Sequence, residues 1–492
     1  MIGENKSGLL ALDIGTSSVR ITVFEKDKGI QDRYTITHKI AARFSIEELW
    51  IDVKTLISKA VRSNPGITFN AIGISAFLGW VVIDHKGLPV EEAWSWMADG
   101  DLKEVEKYTA KLPRNTEERI GRNVNEELGV FRWGCCLRNS SETRILLSVK
   151  DYINYKLTGN IKMDRTHASY TGLFSIKTRD WESALLDTFN IPKCSLPVLG
   201  DGIDEAGIVK NDIATELGID EKIKVILSGP DGTLAMLGGG GSSKGKTVEV
   251  MGTTDVLFHI CDYIADPSLI TKGIVQNCYI IPGLYAIGGP TGMTGGTLTW
   301  LMDKWNWSFQ SSEYENMLQT WEKRKPAING VFIIPFLTGA RVPDWNQSMR
   351  FTVVGLNNSH NLADIFKATV EGIAFSSRRI LERLSPFVKD LNSFIAIGGG
   401  SREGKLLKTR AAASGKTIQL PYEREASTVG VFALSATLLN WFINIEDAVK
   451  SMNPIVSEII PEQNILNSYS ESFKRFNHLF TIMDSWYKKT EG

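Results

Sequence analysis

Two hydrophobic rhythms alternate along the chain. Short apolar runs ending in glycine or another turn residue, such as 70–77 (NAIGISAF), 224–232 (KVILSGPDG) and 394–401 (FIAIGGGS), have the pattern of strands buried on both faces. Amphipathic stretches fall between them. Over 362–384, Val370, Ile373, Ala374, Ile380, Leu381 and Leu384 recur at helical spacing with charged residues between. Residues 403–414 (EGKLLKTRAAAS) read as a further helix. The alternation predicts an α/β protein.

An echo within the chain suggests how the elements are grouped. Residues 9–24 read strand, DIGTSS, strand, and residues 247–260 (TVEVMGTTDVLFHI) read strand, MGTTD, strand. Two Gly-Thr hairpins half a chain apart point to duplicated domains that open with the same turn. A chain of 492 residues is too long for one ordinary core. The boundary is expected near 240–247, within GGGGSSKGKT, dividing the chain into 1–243 and 244–492.

That glycine run also contains a decoy. GGSSKGKT (240–247) satisfies the spacing G-x-x-x-x-G-K-[ST]. A phosphate loop of that kind needs a strand before it and a helix after it. Here TLAMLGGG before it reads as a helix and TVEVM after it as a strand, so a linker with solvated lysines is expected.

Composition narrows the function. A formal charge of −1 offers no basic field for nucleic acid, and no window reaches the ~18 apolar residues of a membrane span. The start, MIGENKSGLL, lacks the pattern of a secretory leader. Five cysteines without a C-x-x-C pair fit a reducing cytoplasm, and adjacent Cys135 and Cys136 read as two buried small residues. Six scattered histidines show no zinc spacing.

Candidate chemistry gathers at strand ends. Asp13 closes an apolar strand, where a carboxylate is costly unless paired, hydrogen-bonded or near a cation. Gly15 permits a tight turn and close approach of an anion, and Thr16, Ser17 and Ser18 add hydroxyls. A hard cation such as Mg²⁺ suits that oxygen set; an Asp serving only its own turn is the alternative. Asp231, between Pro230 and Gly232, either caps the following helix or faces a cleft as a general base. Gly398, Gly399, Gly400 and Ser401 form a glycine-rich strand-to-helix turn, and Gly295 and Gly296 another.

In order, the segments LALDIGTSSVR, IGISAF, KDYINYKLTG with SYTGLFSIKTRDW, SGPDGTLAMLGGG with GKTVEVMGTT, GGPTGMTGGTLTWLMD, PFLTGARVPDWN, KATVEGIAFSSRRILE and IAIGGGSREGKLLKTRAAASGKTIQLP resemble the FGGY family of carbohydrate kinases along nearly the whole chain. The resemblance implies two actin-like (ribonuclease H-type) domains around an inter-domain ATP and substrate cleft. It makes Asp231 the base that deprotonates the acceptor hydroxyl and turns Asp13 toward Mg²⁺–ATP. Gly15, Thr16 and Ser17 become the first phosphate loop and Gly252, Thr253 and Thr254 the second. Gly398–Ser401 would border adenosine, with Gly296 near the nucleotide. The implied activity is ATP-dependent phosphorylation of a small sugar, polyol or sugar acid in the cytoplasm, with no nucleic-acid or membrane partner and a homodimer as the expected assembly.

The acceptor side departs from the family pattern. Many members follow GIS with polar residues, but here Ala76, Phe77, Leu78, Gly79 and Trp80 follow it. Phe77 and Trp80 are therefore expected to form an apolar wall. The segment resembling the family's W-x-D-x-R is WMADGD (96–101), with Asp101 where arginine is expected. Trp96 and Asp99 are expected to stack on and hydrogen-bond the acceptor; a surface loop and a core aromatic are the alternative. A non-catalytic sugar or nucleotide sensor is the competing reading, and the presence of Asp13, Asp231 and both Gly-Thr turns favours the kinase.

Overall fold

The computed structural model describes residues 6–138, 142–306, 308, 311–322, 324 and 330–490. Two mixed sheets organise them. The first has six strands in the order Glu205–Ile208, Lys224–Pro230, Ile67–Ala76, Lys6–Ile14, Ser18–Glu25, Gly29–Thr37. The second has seven, in the order Val275–Cys278, Tyr285–Met293, Thr254–Cys261, Thr247–Met251, Ser393–Ile397, Thr417–Pro421, Ile455–Ile459. In each, an antiparallel meander begins the sheet, two strands then join parallel to the meander's first strand, and an antiparallel strand closes the edge. The echo of the two hairpins is thus an echo of whole sheets. This repeated topology is the two-domain actin-like fold.

Local chemistry accounts for the elements. Lys6–Ile14 is buried from Gly8 onward, as its apolar run requires. The helix Leu362–Leu384 starts at a capping box in which Asn361 accepts from the amide of Asp364 and Asp364 accepts from that of Asn361. Val370, Ile373, Ala374, Ile380, Leu381 and Leu384 are all buried, as the spacing predicts.

The two sheets share a core. The helix Ser427–Leu438, from the second half, packs its Val431, Phe432 and Leu434 with Leu9, Ala11 and Ala71 of the first sheet and Val248 and Ile397 of the second. Gly73 permits the approach, since a Cβ there would lie 2.4 Å from a Val431 methyl. Residues 238–241, the run that read as a flexible linker, are packed for the same reason: a Cβ on Gly238 would meet the Ala426 carbonyl at 2.1 Å. The decoy fails as the order of elements predicts, with the helix Asp231–Gly238 before it, the strand Thr247–Met251 after it, and Lys246 exposed.

One expectation is corrected. Cys135 is exposed and Cys136 half-buried, because the helix Val130–Arg138 turns Phe131, Trp133 and Leu137 inward and these two outward. No helix among the described residues is long and apolar enough to cross a membrane.

Candidate active site

Register brings the two carboxylates together. Asp13 lies opposite Ser75 on the neighbouring parallel strand, and Ser75 lies opposite Gly229 on the next. Asp231 follows Gly229 by two residues, at the first turn of the helix Asp231–Gly238. Two strand spacings put the backbones roughly 10 Å apart, both at the C-terminal ends of parallel strands, where α/β sheets open their crevices. A bulge helps aim the second carboxylate. Pairing slips between Ile226 and Gly229, and Ser228 takes a left-handed φ of 59°. The Leu227 carbonyl at the bulge accepts from Lys150 Nζ at 2.8 Å.

The electrostatics fit two acids close enough to feel each other, although only Asp231 of the two lines the cavity described below. Burial raises the Asp13 carboxyl, against the Ser75 hydroxyl that donates to Oδ1 at 2.9 Å and the Arg20 charge, which hold it down. Asp231 is pushed up to about 6, first by burial and then by the charge of Asp13; the amide of Gly232, donating at 2.6 Å, and His167 oppose the shift. Asp231 thus does not cap its helix in the usual sense, because its carboxylate takes only the adjacent amide and lines a cavity.

That cavity, of about 320 Å³, lies between the two halves. Asp231, Gly232, Thr233, Phe77 and Trp96 line it from one side, and Thr253, Thr254, Val256 and Asn277 from the other. Phe77 and Trp96, both expected on the acceptor side, are in its lining. Trp80 is not. It is fully buried against Trp133 and His167, at ring separations of 6.0 and 6.4 Å. Asp99 is exposed and outside the lining, and Asp101 caps the helix Leu102–Thr109 by accepting from the amides of Lys103 and Glu104.

Pattern reading missed much of the wall: Arg122, Arg132, Tyr170 and Arg341 also line it. Tyr170 and Arg341 stand in two family-like segments, SYTGLF and PFLTGARVPDWN, but no local rhythm marks Arg122 or Arg132 as wall residues. The Arg122 guanidinium sits 4.4 Å above the Tyr170 ring and donates to Asn277 Oδ1. Burial pulls Arg122 below its ordinary value. Arg132 donates to the carbonyls of Ala98 (2.8 Å) and Trp96 (3.4 Å). Arg341 is paired with Glu127 at 2.9 Å.

The glycine loops of the second half meet one another, and the first-half loop forms its own turn. Gly15 closes the first hairpin by donating to Ser18 O at 2.9 Å, leaving Thr16 half-exposed and Ser17 exposed. In the second, Thr253 O accepts from the amides of Thr294 and Gly296, both at 3.0 Å. A Cβ on Gly295 would lie 2.1 Å from Gly252 O, so only glycine allows that approach. Gly398, at φ 86°, presses on the Met251 carbonyl, and Gly400 shares a small recess with Gly252 and Gly295. A side chain on Gly399 would enter open space. Gly252–Thr254, Gly296 and Gly398–Ser401 thus cluster, with Thr253 and Thr254 facing the cavity of Asp231.

Beneath Asp231 lies a buried network. Lys150 pairs with Asp151 and, at 3.1 Å, with Asp164, which also holds His167 Nδ1 at 2.7 Å. The geometry of Asp151, Asp164 and His167 would suit a metal, but the ammonium of Lys150 already neutralises both carboxylates.

Comparison with known proteins agrees with this architecture. The model for the FGGY family of carbohydrate kinases, N-terminal domain, matches residues 9–238, and that for its C-terminal domain matches 248–439. A xylulose kinase of Staphylococcus xylosus is 25% identical over 488 residues, covering 96% of this chain and 99% of the relative. A gluconokinase of Bacillus subtilis is 23% identical over 508 residues, covering 98% and 97%. Among solved structures, a xylulose kinase from Lactobacillus acidophilus superposes with a TM-score of 0.90 at 19% identity over 98% of this chain and 99% of its own. A gluconate kinase from the same organism gives 0.89 at 18%, with the same coverage. With both family domains present in order, the chain belongs to the FGGY family of carbohydrate kinases, phosphotransferases that take an alcohol group as acceptor.

Proposed function

We propose that the protein transfers the γ-phosphoryl group of ATP to a hydroxyl of a small sugar, polyol or sugar acid, with Asp231 as general base. One observation carries this reading: Asp231, within the field of Asp13, opens into the cavity that Thr253 and Thr254 line from the other half. In the step, the acceptor oxygen bonds to Pγ as the bond from Pγ to the β–γ bridging oxygen breaks. The hydroxyl proton passes to Asp231, and ADP leaves. A carboxyl lifted to about 6 is ionised at neutral pH yet basic enough to take that proton.

Asp13 fits Mg²⁺, beside the phosphate loop of Gly15, Thr16 and Ser17. The donor is oxygen, and a buried carboxylate held by the hydroxyls of Ser75 and Ser427 leaves acceptor capacity for a hard cation. When bound there, Mg²⁺ would neutralise charge on the phosphoryl oxygens. Residues 1–243 would carry the base and most of the acceptor wall, and 244–492 the nucleotide loops. The five free thiols are consistent with a cytoplasmic setting. Exposed ion pairs, Arg20 with Glu425 at 2.7 Å and Arg33 with Glu423 at 2.8 Å, join the halves at the rim and would yield to opening at small cost.

The test is ADP release across pentuloses, hexuloses, polyols and aldonates. Turnover with at least one is expected. Tight ATP binding without turnover on any would favour the sensor.

A further inference from the structure

The donors on the acceptor wall are unevenly matched. Among the described residues Arg341 has its carboxylate, Glu127. Arg122 and Arg132 have none in ion-pair contact: Arg122 donates to Asn277 Oδ1 and to the Tyr170 hydroxyl oxygen, and Arg132 to two backbone carbonyls. The Nε–H of Arg122 is buried without any partner. Tyr170 adds a further donor, because its hydroxyl oxygen accepts from Asn277 Nδ2 at 3.1 Å and its own proton remains for another acceptor. Glu127 acts on both guanidiniums through space but contacts neither, and a buried guanidinium without a carboxylate in contact is costly. Guanidinium forks and a phenol together call for a planar group that accepts and never donates.

We infer that Arg122, Arg132 and Tyr170 form a carboxylate subsite, so that the acceptor is a sugar acid whose hydroxyl reaches Asp231 while its carboxylate docks on the two guanidiniums. The inference rests on the kinase reading and narrows it. Tyr170 links the two ends, lying under Arg122 and within the field of Asp231. Glu127, the other acid in the wall, is held by Arg341 and by Gln347 Nε2 at 3.4 Å, so it does not take this place. Phe77 and Trp96 are left to cover the carbon chain between.

The experiment compares acceptors of equal length: xylonate with xylitol and xylulose, and gluconate with sorbitol, by ADP release and by calorimetry. The aldonate is expected to exceed its neutral partners by about 10²-fold or more in kcat/KM, as sites with buried unpaired donors discriminate. Arg122→Gln should shrink that ratio to within about tenfold, and Arg122→Lys should restore part of it, because charge returns without the fork. A melting curve for each variant separates misfolding from lost recognition, and the wild-type panel stands without any variant. A neutral ketose, a polyol or a sugar phosphate equalling the aldonate would overturn the subsite while leaving the kinase intact. Aldonate binding tighter than polyol binding, without turnover of any compound, would keep the subsite and sink the kinase. If neither binding nor turnover prefers the acid, the subsite falls.

Discussion

Strand Lys6–Ile14 and strand Thr247–Met251 hold the same place in their sheets, each fourth in order and each leading into a glycine-and-hydroxyl turn. Their acids have different surroundings. In the first sheet Asp13 is held by serine hydroxyls, Ser75 and Ser427, and its charge is felt by Asp231. In the second, Glu249 and Asp255 are both tied to the buried guanidinium of Arg410, with Ser377 donating to Glu249 at 2.6 Å. Among the described residues, one copy of the fold leaves its carboxylates without a cation in contact. The other neutralises its own internally beside the recess where Gly252, Gly295 and Gly400 meet. Duplicated topology therefore permits divided electrostatics: the same strand position carries carboxylates without a cation in contact in one sheet and carboxylates neutralised by a buried guanidinium in the other.

The largest expected effect comes from removing the open charge. Asp231→Asn should lower turnover roughly 10²–10⁴-fold, the scale of general-base catalysis, with ATP affinity nearly unchanged by calorimetry. The same variant has a stability signature. An acid raised in the folded state from its ordinary 3.8 to about 6 favours folding fully below the lower value and loses that contribution as pH rises through the upper one. Asp231→Asn should therefore melt higher than the parent at pH 7–8, with the gap closing toward pH 4. Equal melting at both pH values would mean that the carboxylate is not desolvated.

Breaking the closed charge comes next. Arg410→Met leaves Glu249 and Asp255 buried without their cation, a change that costs about 3–5 kcal/mol. A urea titration should show that loss in the second half's unfolding. Loss below about 1 kcal/mol would mean that the acids are protonated or wetted, and the contrast between the sheets would vanish.

Much of this was legible because it is local. Strand ends, hairpin turns and the capped helix 362–384 each announce themselves within a dozen residues. The convergence of Asp13 and Asp231 was reachable through family likeness, although its cause, the register Asp13–Ser75–Gly229, is not written in either segment. Arg122 and Arg132 were illegible, since irregular chain and a helix start carry no periodicity that points at a cavity. Trp80 misled for the opposite reason. Its strand, Gly79–Ile83, is buried on both faces, and an apolar run cannot say which face meets the cavity and which meets Trp133.

A smaller effect sharpens the link between the acids. Because the charge of Asp13 raises Asp231, Asp13→Asn should move the Asp231 titration below about 6, read by carbon NMR of the carboxyl in ligand-free protein. In the parent, kcat/KM should fall as pH drops through about 6, the base being lost on protonation. An unmoved titration would place the two groups in separate environments and remove the physical basis for their joint action.

The smallest effect is an expected silence. Lys246 completes a phosphate-loop spelling, yet it stands at the opposite end of strand Thr247–Met251 from Gly252. Six residue steps at ~3.3 Å each set it roughly 20 Å from Gly252. Its carbonyl accepts from the Ile260 amide at 2.8 Å in the hairpin ladder, while its side chain is exposed. Lys246→Ala should leave the nucleotide dissociation constant within about twofold, since a screened charge beyond a Debye length contributes little. A tenfold or greater loss would move the triphosphate to the wrong end of the strand, and with it the claim that Gly252–Thr254, not the glycine-lysine spelling, receives phosphate.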